Sequence, residues 1–214
     1  DLECKARFYR AQSVWKARQR PRAAPLFDDA DGICAKAGNR DLHAKALYQG
    51  ARSYASAGNR DAAMTRYTRI EAEHADHSYA DDARIRMAEL VTDAGDEAGA
   101  AKILAEVPIR YPKGDLVNEA LWRLAFAAWR GGRLDEALHW LDENLRRMVA
   151  QAGGPERLCP HVKTHKLPQA IAKQLALGIQ KFKAATIAEA EMCAAAGAPQ
   201  VLLAHAPVGP RAER

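Results

Sequence analysis

Three glycines constrain most of this chain. Gly58, Gly95 and Gly132 stand 37 residues apart, twice in succession. A fixed period in this range marks an array of helical hairpins. The punctuation is consistent along the chain: Gly38-Asn39-Arg40-Asp41, Gly58-Asn59-Arg60-Asp61, Gly95-Asp96-Glu97 and Gly131-Gly132-Arg133 each end one apolar-periodic run and open the next. Glycine takes the left-handed conformation that closes a helix, and a following Asn or Asp caps the next one.

Between these punctuation points the apolar residues recur at helical spacing. Leu42, Ala46, Gly50 and Tyr54 lie four apart, and small residues there let two helices approach closely. Ala83, Met87, Leu90 and Val91 share a face, as do Leu121, Leu124, Ala125 and Ala128. The pattern predicts helix pairs at 2–17 with 21–37, 41–57 with 61–75, 80–94 with 97–111, and 115–130 with 133–150. Pro108 is expected to bend or stop the last turn of its helix, because it lacks an N–H and clashes with the preceding turn. Tyr48, Tyr54, Trp122 and Trp129 read as core packing. One hairpin cannot bury its own apolar face, so stacked neighbours build the core and the concave side is left for a partner.

Charge narrows the partner class little. Residues 1–140 hold 22 basic against 21 acidic side chains, and residues 141–214 hold 10 against 6. No basic cluster is interleaved with aromatics, so nucleic acid is not an expected partner. No apolar run reaches the roughly 18 residues of a membrane span. Asp1-Leu2-Glu3-Cys4 lacks the basic start and apolar middle of a signal peptide.

Cys4, Cys34, Cys159 and Cys193 are widely spaced and form no C-x-x-C pair, so neither zinc nor redox chemistry is suggested. They read as buried or free thiols; a Cys4–Cys34 bridge between neighbouring helices is the lesser alternative. His74 and His77 near Asp76 could bind a metal as a lesser alternative, but no metal ligand is expected in this chain. The runs Glu71-Ala72-Glu73-His74 and Asp81-Asp82 read as solvated helix ends.

From Gly153-Gly154-Pro155 onward the pattern changes to strand, helix, strand, helix, strand. The strands are expected at "RLCPHVKT", "IQKFKAAT" and "QVLLAHAPVG", and the helices at "LPQAIAKQLALG" and "IAEAEMCAAAG". Crossovers of this length imply parallel strands. Tryptophan is absent after Trp140. The fold class expected is therefore mostly α: a helical-hairpin array over 1–141, followed over 142–214 by a short, incomplete α/β (βαβαβ) parallel segment.

Two family resemblances follow from these stretches. Residues 1–141 resemble tetratricopeptide-like (TPR-like) arrays. More narrowly, "SYADDARIRMAEL", "YPKGDLVNEALWRLAFAAWRGGRLDEALHWL" and the Gly-Asn-Arg turns resemble the superhelical region of soluble lytic murein transglycosylases. That resemblance implies a periplasmic protein with protein or peptidoglycan on the concave surface. Glu119 and Glu136 sit in repeat positions without catalytic context, so glycan cleavage is not expected.

Residues 144–210 resemble the N-terminal barrel of D-threonine aldolases and D-serine dehydratases, in the alanine racemase-like class of pyridoxal phosphate enzymes. The run Pro160-His161-Val162-Lys163-Thr164-His165-Lys166 carries most of the likeness. The resemblance implies a cytoplasmic enzyme in which Lys163 forms the Schiff base with pyridoxal phosphate, and His161 and His165 orient cofactor or substrate. On a strand, His161, Lys163 and His165 would share one face. Desolvation and a nearby cation would hold the amine neutral and nucleophilic. Lys166 is at most a solvent or phosphate contact. The family pattern places Arg where this chain has Cys159.

A closed eight-stranded barrel needs about 250 residues, and this tail offers three strands. Cofactor chemistry needs ring, phosphate and substrate held together. The function expected is a binding or scaffold protein, catalytically inert in this form and not holding the cofactor. Two alternatives stay open: a pyridoxal phosphate-dependent D-amino-acid lyase completed by other chains, and a peptidoglycan-processing accessory. The chain is also consistent with a fusion or fragment.

Overall fold

The computed structural model describes residues 1–205. Contacts divide the chain into Asp1–Ala137 and a second unit beginning at Leu138. In the first unit the hairpins are α1 (Leu2–Lys16) with α2 (Arg20–Lys36), α3 (Arg40–Ser56) with α4 (Arg60–Glu73), and α5 (Tyr79–Asp93) with α6 (Glu97–Ala105). A one-turn α7 (Val107–Arg110) and then α8 (Val117–Arg130) follow. The helix predicted over 97–111 is thus two pieces, and Pro108 is the reason: it sits in the first turn of α7, where no intrahelical N–H is needed.

The turns do what their residues predict. Gly58 and Gly95 hold φ of +79° and +87°, the left-handed region that a side chain disfavours. Immediately after them the Asn59 side chain accepts from the Ala62 N–H at 3.1 Å, and Asp96 accepts from the Gly99 N–H at 2.8 Å. These carbonyl and carboxylate oxygens satisfy donors that a helix start leaves open.

Packing follows the small residues. A Cβ placed on Gly50 would meet the Phe27 Cβ at 3.3 Å, so α2 and α3 approach through a glycine. Phe8, Ala11, Ala23, Phe27, Ala30 and Ala46 form the first core cluster. Leu47, Ala51, Ala63, Tyr67, Ile70 and Ala83 form the next. Tyr48 is buried among them, as expected, and Tyr54 is partly buried against the same cluster. Ion pairs tie α2 to α4: Asp28 binds Arg66 at 2.7 Å and Asp31 binds Arg69 at 2.6 Å, each pair 38 residues apart.

Three expectations are corrected here. Cys4 and Cys34 form a disulfide between α1 and α2; their helices are partners in the first hairpin core, which spacing alone did not reveal. Trp122 and Trp129 are not core: they are 53% and 60% exposed. Helical periodicity fixes a face but not what covers it, and the buried face of α8 is Ala120, Leu121, Leu124 and Ala128. The acidic runs are not solvated ends either. Glu71 accepts two bonds of 2.9 Å from buried Arg84, and buried Asp81 accepts from the Leu116 N–H at 3.1 Å.

Helix α9 (Leu134–Ala152) leads into the second unit. There α10 (Pro168–Ala176), β1 (Lys181–Ala184), α11 (Ile187–Ala195) and β2 (Gln200–Leu203) follow in order. The two strands pair in parallel, Phe182 opposite Val201 and Ala184 opposite Leu203. Ile171, Ile179, Phe182 and Cys193 fill the core, with Met148 and Val149 of α9 packed against it. Residues 206–209 of the third expected strand lie outside the described residues.

The first expected strand shrinks to one residue. His161 makes an isolated parallel bridge with Lys183, and Pro160 accepts from the Lys183 N–H at 2.8 Å. Val162–Thr164 then curls into a 3-10 turn. Two local causes act together. Pro160 has no N–H to give a ladder, and the His161 ring Nδ1 accepts from the Lys163 N–H at 3.3 Å, pulling the chain out of extension.

Candidate functional site

The segment from Cys159 to Pro168 keeps its chemistry at the surface. Because 162–164 is a turn, His161, Lys163 and His165 do not alternate on one strand face. The Lys163 side chain is exposed. His161 is half-buried, and partial burial followed by the charges of Lys163 and Lys183 pushes its imidazole below the ordinary value. The His165 Nδ1 accepts from the Leu167 N–H at 3.1 Å, and burial lowers its pKa. Both histidines therefore spend a ring nitrogen on the backbone two residues ahead. Lys166 pairs with buried Glu189 at 3.3 Å. A pyridoxal phosphate site needs an enclosed amine with ring and phosphate contacts around it. Among the described residues nothing encloses Lys163, so this arrangement does not fit the cofactor.

The first unit presents a different site, absent from the sequence expectation. A cleft of about 260 Å³ crosses its helices, lined by Trp15 of α1, Arg20 of α2, Arg52 and Ser56 of α3, and Arg86 and Glu89 of α5. The Arg52 and Arg20 guanidinium carbons stand 5.0 and 5.5 Å from the centre of the Trp15 ring. A cation over an indole is favoured by the ring quadrupole, more so where water is excluded. Arg86 is matched by Glu89 at 2.7 Å. Arg20 and Arg52 instead meet only neutral oxygens, Ser56 Oγ at 3.5 Å and Gln49 Oε1 at 3.4 Å. Among the described residues neither has a carboxylate partner. The cleft is thus an aromatic floor with three arginines against two carboxylates, Glu89 and Asp93, and neither Arg20 nor Arg52 is ion-paired to them among the described residues, which suits it to an anionic group. No spacing rule joins Trp15, Arg20 and Arg52; only their helices bring them together.

Outside the cleft, α8 carries a row of exposed rings. Trp122 lies 5.7 Å from Phe126, and Phe126 lies 5.7 Å from Trp129, centroid to centroid. Glu119 pairs with Arg123 at 2.8 Å and Glu136 with Arg133 at 2.7 Å. Among the described residues no helix is long and apolar enough to cross a membrane.

Stacked helical hairpins with glycine-closed, Asn- or Asp-capped turns define a helical-repeat protein. Residues 35–151 match the tetratricopeptide repeat-like domain over more than half of the chain, and the chain belongs to that family. Residues 137–213 match the N-terminal domain of alanine racemase. Among solved structures, the chain is similar to a Podosopora anserina protein described as a putative kinesin light chain with nearly identical TPR-like repeats. That likeness has a TM-score of 0.53 at 18% identity and covers 91% of this chain and 94% of the other. A single-substitution form of the same protein gives 0.52 at 16%, covering 91% and 92%. At these identities the likeness is one of fold. No curated protein matches the chain.

Proposed function

We propose that this chain is a protein-binding scaffold that holds an acidic segment of its partner in the cleft around Trp15. One observation carries the reading: Arg20 and Arg52 converge on the Trp15 ring at 5.5 and 5.0 Å without a carboxylate of their own. A partner carboxylate or phosphate would complete both, as a charge-assisted hydrogen bond stronger than a neutral one. The lining comes from five helices, α1 to α5, so a ligand seated there contacts several repeats at once. The second unit is, on this reading, catalytically inert in this form and holds no pyridoxal phosphate.

The test is a panel of acidic peptides, some ending in a free carboxylate and some phosphorylated. Binding is followed by Trp15 fluorescence in a chain whose other tryptophans are changed to Phe. Charge reversal by Arg20→Glu with Arg52→Glu is expected to weaken binding at least ~10-fold, the scale for hydrogen bonds to charged groups. Binding that survives the reversal would refute the assignment. So would retention on peptidoglycan sacculi, undiminished by the same reversal, with no acidic peptide bound.

A further inference from the structure

The histidine cluster visible in the sequence, His74-Ala75-Asp76-His77, comes apart in the structure. Asp76 binds Arg40 at 2.8 Å, and the His77 Nε2 faces Asp41 at 3.3 Å. His74 turns inward instead, to a residue 31 positions earlier: its Nε2 lies 3.0 Å from Nδ1 of His43 on α3. Both rings are buried, at 3% and 8% exposure.

The protons in this pair are assigned by its neighbours. The other His43 nitrogen, Nε2, lies 2.7 Å from the Asp31 carboxylate. An ionised carboxylate only accepts, so a neutral His43 carries its proton on Nε2, which Arg69 Nη2 also approaches at 3.5 Å, and presents a bare Nδ1. His74 must then donate from Nε2, which leaves its own Nδ1 bare. That Nδ1 is fully buried and has no hydrogen-bond partner. A buried unsatisfied polar atom is costly to keep, and the array maintains it here. The third group is the neighbouring side chain: a nitrogen from each ring and a Glu73 carboxylate oxygen lie within 4.8 Å of one another.

We propose that His43, His74 and Glu73 bind one divalent transition-metal ion of the zinc type, with Asp31 orienting the His43 ring from behind. Two ring nitrogens bound to one zinc at about 2.0–2.1 Å sit roughly 3 Å or slightly more apart, the separation the two rings already hold. The ion replaces the shared hydrogen bond and lies to one side of the line between the two nitrogens. On binding, the His74 proton moves from Nε2 to Nδ1 of the same ring, so the imidazole stays neutral and none is released. The Asp31–His43 contact is the carboxylate–histidine arrangement that fixes tautomer and ring direction behind a metal ligand. Glu73 is exposed, so it gives the ion an entry path and leaves a coordination position for water.

One charge opposes the ion. Arg69 holds Glu73 at 2.8 Å and Asp31 at 2.6 Å. Loading asks Glu73 to leave Arg69, while Arg69 keeps Asp31. This site shares no residue with the Trp15 cleft, and it stands or falls separately from the protein-binding reading.

The experiment is a titration of the untagged full chain with zinc, and with cobalt(II) as a coloured substitute, read by calorimetry and visible absorption. The Cys159→Ser chain is the reference, because Cys159 is an exposed free thiol, a ligand type that zinc favours. A single saturable equivalent is expected in that reference, with a rise in melting temperature. Glu73→Gln leaves both rings in place and is expected to weaken binding about 10-fold or more, the scale seen when groups supporting a metal are removed. His74→Gln abolishes it, and His77→Gln leaves it unchanged. Absence of saturable binding would overturn the site, as would binding that Glu73→Gln and His74→Gln leave intact, or binding lost with Cys159 alone.

Discussion

His165 shows how a single side chain can be both legible and misread. Its place between two prolines in a lysine- and histidine-rich run was clear from the sequence, but its work is local. Nδ1 accepts from the Leu167 N–H at 3.1 Å, and Nε2 is buried without a partner. Burial pushes its pKa down, which fixes the sign of a pH effect. Above the unfolded value of about 6.5 neither state is charged, and the group contributes nothing. As pH falls below that, the unfolded chain takes up a proton that the folded one resists, and stability is lost until the folded pKa is reached. The protection factor at Phe182, corrected for the intrinsic exchange rate, should therefore fall as pH drops below about 6.5, and His165→Gln should flatten that slope. Part of the slope should remain, since His161 is pushed the same way.

The helices were largely readable in advance, because their limits are set by short-range chemistry. A glycine that must hold positive φ and an amide that caps three residues on are both visible in a four-residue window. That makes the caps a direct target. Asn59→Ala should cost about 1 kcal/mol, seen as a lower urea midpoint at unchanged slope. What the sequence could not show depends on residues brought together from afar. The rings of α8 have helical spacing whether or not something covers them. The first strand of the second unit has strand composition, but Pro160 and the His161 ring divert it after one bridge. Trp15 with Arg52, and His43 with His74, meet only because hairpins stack. The candidate site was therefore hidden where the fold was not.

Across the whole molecule, the hairpins of the first unit gain an unequal share of support. The Cys4–Cys34 bond closes a 30-residue separation and clamps only the first of them. Chain-entropy arguments put such a closure at about 3–4 kcal/mol, relative to the same chain reduced. The Cys4→Ser/Cys34→Ser double variant should melt earlier than the native chain, and a reductant should lower the native chain toward it without further effect on the variant. Helix α9 carries a constraint of another kind. Residues 137–151 fall inside both family matches, the repeat domain and the racemase-type domain. Within this stretch Leu145 is buried and Met148 and Val149 pack on the second unit's core, so polar substitutions there should lower the melting temperature more than changes at exposed Arg146 or Gln151.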